Sequence, residues 1–172
     1  MKKILLLFSA VGLLSLTGCN NDDNFDQDTI AEVFEVANVD FNPNDYSVVL
    51  PLDPSLYSGD MILVYRLTDD PDTDLDVWQL IPRTLYFDNG DEIDYDYNFT
   101  QEDVLLYMGA NFDLPDVDAA YTQDQVFRIV IIPGNGSNFR KNANSLDQYK
   151  DYNAVIKKYG INDSKVKQLS VK

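Results

Sequence analysis

Between residues 31 and 139 the dominant hydrophobic period is two, and that period restricts this part of the chain to strands that bury one face. In IDYDYNFT, Ile93, Tyr95, Tyr97 and Phe99 fall on one side and Asp94, Asp96, Asn98 and Thr100 on the other. YSVVLPL repeats the alternation with Tyr46, Val48, Leu50 and Leu52, and Pro51, which lacks a ladder donor, marks an edge or a strand end. MILVYRL from Met61 and VFRIVIIP from Val126 are short, nearly continuous apolar runs, as expected of central strands covered on both sides. In AEVFEVANVDF, Phe34 and Val36 lie in one register and Val39 and Phe41 in the other, so a bulge near Ala37 or Asn38 is predicted. DVWQLIPRTLYF, broken at Pro82, and EDVLLYMGA supply further strands. Clusters of Asp, Asn, Pro and Gly separate these runs. The expected fold is all-β: an antiparallel β-sandwich of about seven or eight strands with a short C-terminal α-helix.

The helix is expected after Pro133, where the composition changes. SLDQYKDYNAVIKKYG opens on a capping-box pair, Ser145 and Gln148, carries an apolar stripe of Tyr149, Tyr152, Val155 or Ile156, and Tyr159, and stops at Gly160. The chain accordingly divides into a segment 1–18, a tether 19–30, a sandwich 31–139 and a basic helical tail 140–172 packed on or beside the same domain. INDSKVKQLSVK offers a last weak element or a frayed end.

The first eighteen residues have the form of a secretory signal: Lys2 and Lys3, an apolar run from Ile4 to Leu16, then small residues. That run is shorter than the roughly 20 residues a membrane-spanning helix needs. It ends in Leu16, Thr17, Gly18 and Cys19, the only cysteine. LTGC resembles the lipobox of bacterial lipoproteins. The resemblance implies that Met1 to Gly18 is removed, that the Cys19 sulfur is acylated, and that the chain is held to a membrane by that lipid. The acidic stretch NNDDNFDQD after the cysteine resembles the export signals of surface lipoproteins of Bacteroidota, which implies display on the outer membrane, with its periplasmic face as the alternative. The DTI triplet fits the pattern that such bacteria O-glycosylate, which points to Thr29. As a whole the chain resembles the small lipoproteins of Bacteroidota whose function is unassigned.

Charge narrows the partners. The formal charge is 16 negative, and removing residues 1–18 takes two lysines and no acid, leaving 18 negative. Nucleic acid is excluded as a partner, because phosphate binding needs a basic footprint. The tail is a different electrostatic object: residues 140–172 hold 8 basic and 3 acidic residues, whereas residues 19–139 hold 3 basic and 26 acidic ones.

Inventory also limits chemistry. With no histidine in the chain, a Ser-His-Asp arrangement and His-bound zinc are ruled out. PGNGSN after the last strand lacks the third glycine of a dinucleotide motif, since Phe139 stands there, and reads as a turn. Carboxylates remain, and 25 of the 29 acids are Asp, first of all a loop signal. Two clusters stand out as candidate Ca²⁺ ligands: Asp88, Asp91, Glu92, Asp94 and Asp96, and alternatively Asp69, Asp70, Asp72, Asp74 and Asp76. Neither has EF-hand spacing. No pair of carboxylates is singled out for catalysis, and the chain is expected to be a non-catalytic binding or interaction module, without a cofactor unless Ca²⁺ occupies an acidic loop, and with an envelope protein or glycan as partner. Alternatives are a calcium-dependent glycan or ligand binder using aromatics such as Trp78 and Tyr107, and a structural envelope protein.

Overall fold

The computed structural model describes residues 30–70, 72–73, 75–134 and 146–170; Cys19, Thr29, Asp74 and Ser145 lie outside them. Two sheets face each other. One has five strands in the order β4 (Asp76–Ile81), β3 (Met61–Asp69), β8 (Gln125–Ile132), β1 (Glu32–Val39) and β9 (Lys167–Gln168). The other has four, in the order β2 (Ser47–Pro51), β7 (Asp103–Ala110), β6 (Glu92–Phe99) and β5 (Arg83–Tyr86). The fold is thus an all-β sandwich with little helix, α1 (Ala119–Thr122) and α2 (Tyr152–Tyr159). Every strand pair is antiparallel except β1 with β9, which the sequence pattern did not anticipate.

Alternation produces the layers. From β3, Ile62 and Val64 point between the sheets, where they meet Val36, Leu50, Tyr95, Leu106, Phe127 and Ile129. The intervening Leu63 and Tyr65 point outward, yet they too are buried, because Tyr149, Tyr152, Val155 and Ile156 cover them together with Val130 and Ile132. Hence β3 and β8 read as continuous apolar runs: each is a central strand with a sheet on one side and the tail on the other. β2, as Pro51 requires, is an edge strand. The predicted bulge is present: the β1–β8 register shifts between Val36 and Val39, and Asn38 takes a positive φ of 55°. At Pro82 the chain leaves one sheet and enters the other.

The tail departs from its predicted form. Leu146–Tyr149 is a 3₁₀ turn, and the α-helix begins only at Tyr152, capped by Asp151; the predicted cap residue Ser145 lies outside the described residues. The Asp151 carboxylate accepts from the Ala154 amide at 3.0 Å. Asp151 is extended (φ −89°, ψ 105°) and bridges Gln79 on β4, so the helix cannot run through it. The fully buried Tyr65 hydroxyl donates to the Tyr149 carbonyl at 2.6 Å, fixing the preceding turn on the sheet. Gly160 closes α2 in the left-handed region at φ 65°, as its place after the stripe predicted. Arg128 ties the layers: its guanidinium lies 4.1 Å from the Trp78 ring centroid, bonds Glu35 at 2.9 Å, and donates to the Tyr152 hydroxyl at 2.8 Å. The tail is therefore part of the fold's second core.

Strand direction gives the sandwich two distinct ends. Ile30 leads into β1, whose first residue, Glu32, pairs with Ile131, while Val39 at its far end pairs with Gln125. Eight residues of strand separate these ends by about 25 Å. The connections 40–46, 70–75, 87–91 and 111–124 all lie at the end distal to Ile30, whereas 52–60 and 100–102 lie at the proximal end.

Candidate functional site

The predicted calcium ligands are divided between a strand face and a turn. Glu92, Asp94 and Asp96 occupy alternate positions on the outer face of β6, while Asp88 and Asp91 sit in the β5–β6 turn. Donors of the fold occupy several of them. The Thr84 hydroxyl donates to Asp94 at 2.5 Å, the Tyr107 hydroxyl to Asp96 at 3.0 Å, and the Asn89 amide to Asp91 at 2.7 Å. In the alternative cluster, Asp69 and Asp76 stand opposite each other on β3 and β4, and Asp70 folds back on its own turn. The Asp72 and Thr73 amides donate to the Asp70 carboxylate at 2.9 and 3.0 Å, and these bonds hold it below its ordinary pKa. Among the described residues no three Asp, Glu, His or Cys side chains are grouped to hold a metal ion.

The aromatics singled out for glycan contact have other tasks. Trp78 lies under Arg128 and packs against Tyr152 at 5.7 Å between ring centroids. Tyr107 spends its hydroxyl on Asp96, which raises its pKa. Trp78 and Tyr107 line two separate surface clefts, the first with Tyr97 and the second with Tyr95.

A pocket that sequence spacing did not reveal lies at the distal end. The β5–β6 turn and the β7–β8 connection, far apart in sequence, line an open cleft of about 370 Å³. Its floor is Phe87, Ile93, Phe112 and Tyr121; its rim is Asp88, Asn89, Asp91, Asp116 and Asp118. Local rules place each group. Gly90, at φ 90°, makes the turn that brings Phe87 back over the sandwich, with the Phe87 amide donating to the Asp91 carbonyl at 3.0 Å. Asp118 caps α1 by accepting from the Ala120 amide at 2.8 Å, which orients Tyr121. The Phe87 and Tyr121 rings meet at 5.4 Å and 85°. The backbone behind them is held by the core: the buried Tyr95 hydroxyl donates to the Tyr121 carbonyl at 2.7 Å, and the Phe41 amide to the Thr122 carbonyl at 2.9 Å.

One layer deeper, the buried Arg66 guanidinium lies 4.4 Å from the Tyr95 ring centroid and shares Gln125 Oε1 through two hydrogen bonds of 2.9 and 2.6 Å. Burial pushes the Arg66 pKa down and raises that of Tyr95 to about 12. At the proximal end a second groove, about 490 Å³, is lined by Ile30, Phe34, Leu56, Tyr57 and Lys167 among others. No helix among the described residues is long and apolar enough to cross a membrane.

Fold and pocket together define an all-β sandwich with a helical layer on one face and an aromatic, acid-rimmed cleft at one end. No protein-family model, curated protein or solved structure gives a significant match to the chain.

Proposed function

We propose that this chain is a lipid-anchored envelope lipoprotein, displayed at the outer membrane, that acts as a non-catalytic binding module through its distal pocket. The observation that supports a pocket turned away from an anchor is the polarity of the sandwich: Ile30, the first described residue, enters at one end, and the aromatic pocket opens at the other. An acyl group on Cys19, joined through the tether 19–30, would attach the chain from its proximal side and leave the pocket on the far side, toward the medium or a partner. Buried acyl carbons contribute about 0.8 kcal/mol each, so two or three chains anchor firmly where one exchanges.

The test is metabolic labelling with a fatty acid in a bacterial host. The full chain should take up label and fractionate with membranes, and Cys19→Ala should abolish both. An unlabelled chain, or membrane association unchanged by the substitution, contradicts the anchor. The binding role is tested separately, by nuclear magnetic resonance perturbation mapping with ligand libraries, where shifts clustered on Phe87, Phe112 and Tyr121 are expected.

A further inference from the structure

We infer that the distal pocket takes an organic cation: an ammonium or guanidinium group on an apolar stem, such as the Lys or Arg side chain of a basic peptide. This rests on the pocket being the binding site. The floor supplies the first reason. Phe87, Phe112 and Tyr121 are half-buried carbon surfaces, and two of them stand at 85° to form a corner. Aromatic faces carry negative charge, so a cation seated in such a corner is attracted to the rings while its carbon stem covers them.

The rim supplies the second reason. Four aspartates border the floor, two from each chain segment, with no Lys or Arg among the lining residues; Asp91 and Asp118 each already accept one bond, from the Asn89 side chain and the Ala120 amide, through one oxygen. An anion would be repelled there, and a neutral ligand would gain only hydrogen bonds to the carboxylates, without the charge attraction that a cation adds to them. A bare metal ion would need six to eight oxygens in place of its water, and no group of three such ligands converges among the described residues. A cation bearing carbon uses floor and rim together, through ring contact and charge-assisted bonds.

The surroundings act in the same direction. Each of the four distal connections, 40–46, 70–75, 87–91 and 111–124, carries two to four aspartates, and none carries Lys or Arg. Their summed field draws positive partners toward this end. Against this stands one positive charge, the buried Arg66 on Tyr95 behind the pocket, whose partner Gln125 is neutral, so the four rim carboxylates outnumber it.

Calorimetric titration of the full chain in a nonionic detergent tests this, using four probes: choline, its uncharged carbon isostere, an arginine tripeptide, and the same peptide with citrulline. Expected is binding of the charged probes alone, weakened at least about tenfold by Tyr121→Leu or Phe87→Leu. Because the ring variants remove packing, Asp116→Asn on the exposed rim provides a second reading: it should weaken binding several-fold and reduce its salt sensitivity. Tighter binding of the tripeptide than of choline identifies a peptide as the source, and the reverse order a free small cation. If the uncharged probes bind as well as the charged ones and Tyr121→Leu still abolishes binding, the cation assignment is overturned while the pocket remains a binding site. If no probe binds at millimolar concentration, or the ring variants leave binding unchanged, the cation assignment falls and the pocket reading with it.

Discussion

Raising the pH above 10 should destabilise this protein through its tyrosines. Tyr95, Tyr97 and Tyr152 are pushed up from 10.0 to about 12, chiefly by burial, and Tyr65 is raised for the same reason. A phenol whose folded pKa exceeds its unfolded value keeps its proton in the native state after the unfolded chain has lost it. Its stabilising contribution is therefore complete below about pH 10 and is lost as pH rises toward 12. At pH 11 a shift of two units costs about 1.4 kcal/mol for each tyrosine, because the unfolded phenol is then ten times more ionised than not. Tyr65 and Tyr95 are 0% and 2% exposed and should show the full effect. Discounting Tyr97, which is half-buried, and Tyr152, whose hydroxyl bonds the partly exposed Asp163, the four together should remove roughly 4 kcal/mol, a large share of the ~5–15 kcal/mol of an ordinary domain. The assay is urea unfolding at pH 8, 10 and 11, with tyrosinate absorbance followed in parallel. Tyr95→Phe should lose about 1 kcal/mol at pH 8, for the bond to the Tyr121 carbonyl, and show a shallower alkaline decline than the parent. Native tyrosines that all ionise near pH 10 without loss of stability would refute the reasoning.

Other variants probe single contacts. Gly134→Ala would set its Cβ 2.1 Å from the Gly59 carbonyl oxygen, a clash with backbone rather than with a movable side chain, so a loss of about 1–3 kcal/mol or more is expected in denaturant unfolding. Asp151→Ala removes the cap of α2 and should cost about 1 kcal/mol, seen as a thermal midpoint lowered by about 2–4 °C. Millimolar Ca²⁺ against EDTA at matched ionic strength should leave that midpoint unchanged; an upward shift of several degrees would restore the acidic loops as a metal site.

Alternation was legible along the chain because each strand carries its own register. Ile93, Tyr95 and Tyr97 announce one face of β6, and the change of phase after Val36 announces the bulge that β1 contains. The helix start was not legible, since what fixes it is remote: Tyr65 on β3 holds the Tyr149 carbonyl, and Gln79 on β4 bridges Asp151. The pocket was half legible. Asp88 and Asp91 were visible as an acidic cluster with Glu92, Asp94 and Asp96, but the strand pleat sends the last three to another face. Their companions at the rim, Asp116 and Asp118, come from a connection more than twenty residues later. Only the pairing of β6 with β7 brings the two segments together. Phe87, Phe112 and Tyr121 gave no signal of their own, because isolated aromatics in loops have no periodicity.

The most direct test of a distal binding end on a lipid anchor is depth-dependent quenching in vesicles. Acylated chains carrying Tyr57→Cys or Asn89→Cys, each labelled with a fluorescent maleimide, would be placed on bilayers containing spin-labelled lipid. The expected result is stronger quenching at position 57, beside the proximal groove, than at position 89 on the pocket rim. Equal quenching at both positions, or stronger quenching at 89, would contradict an outward-facing pocket.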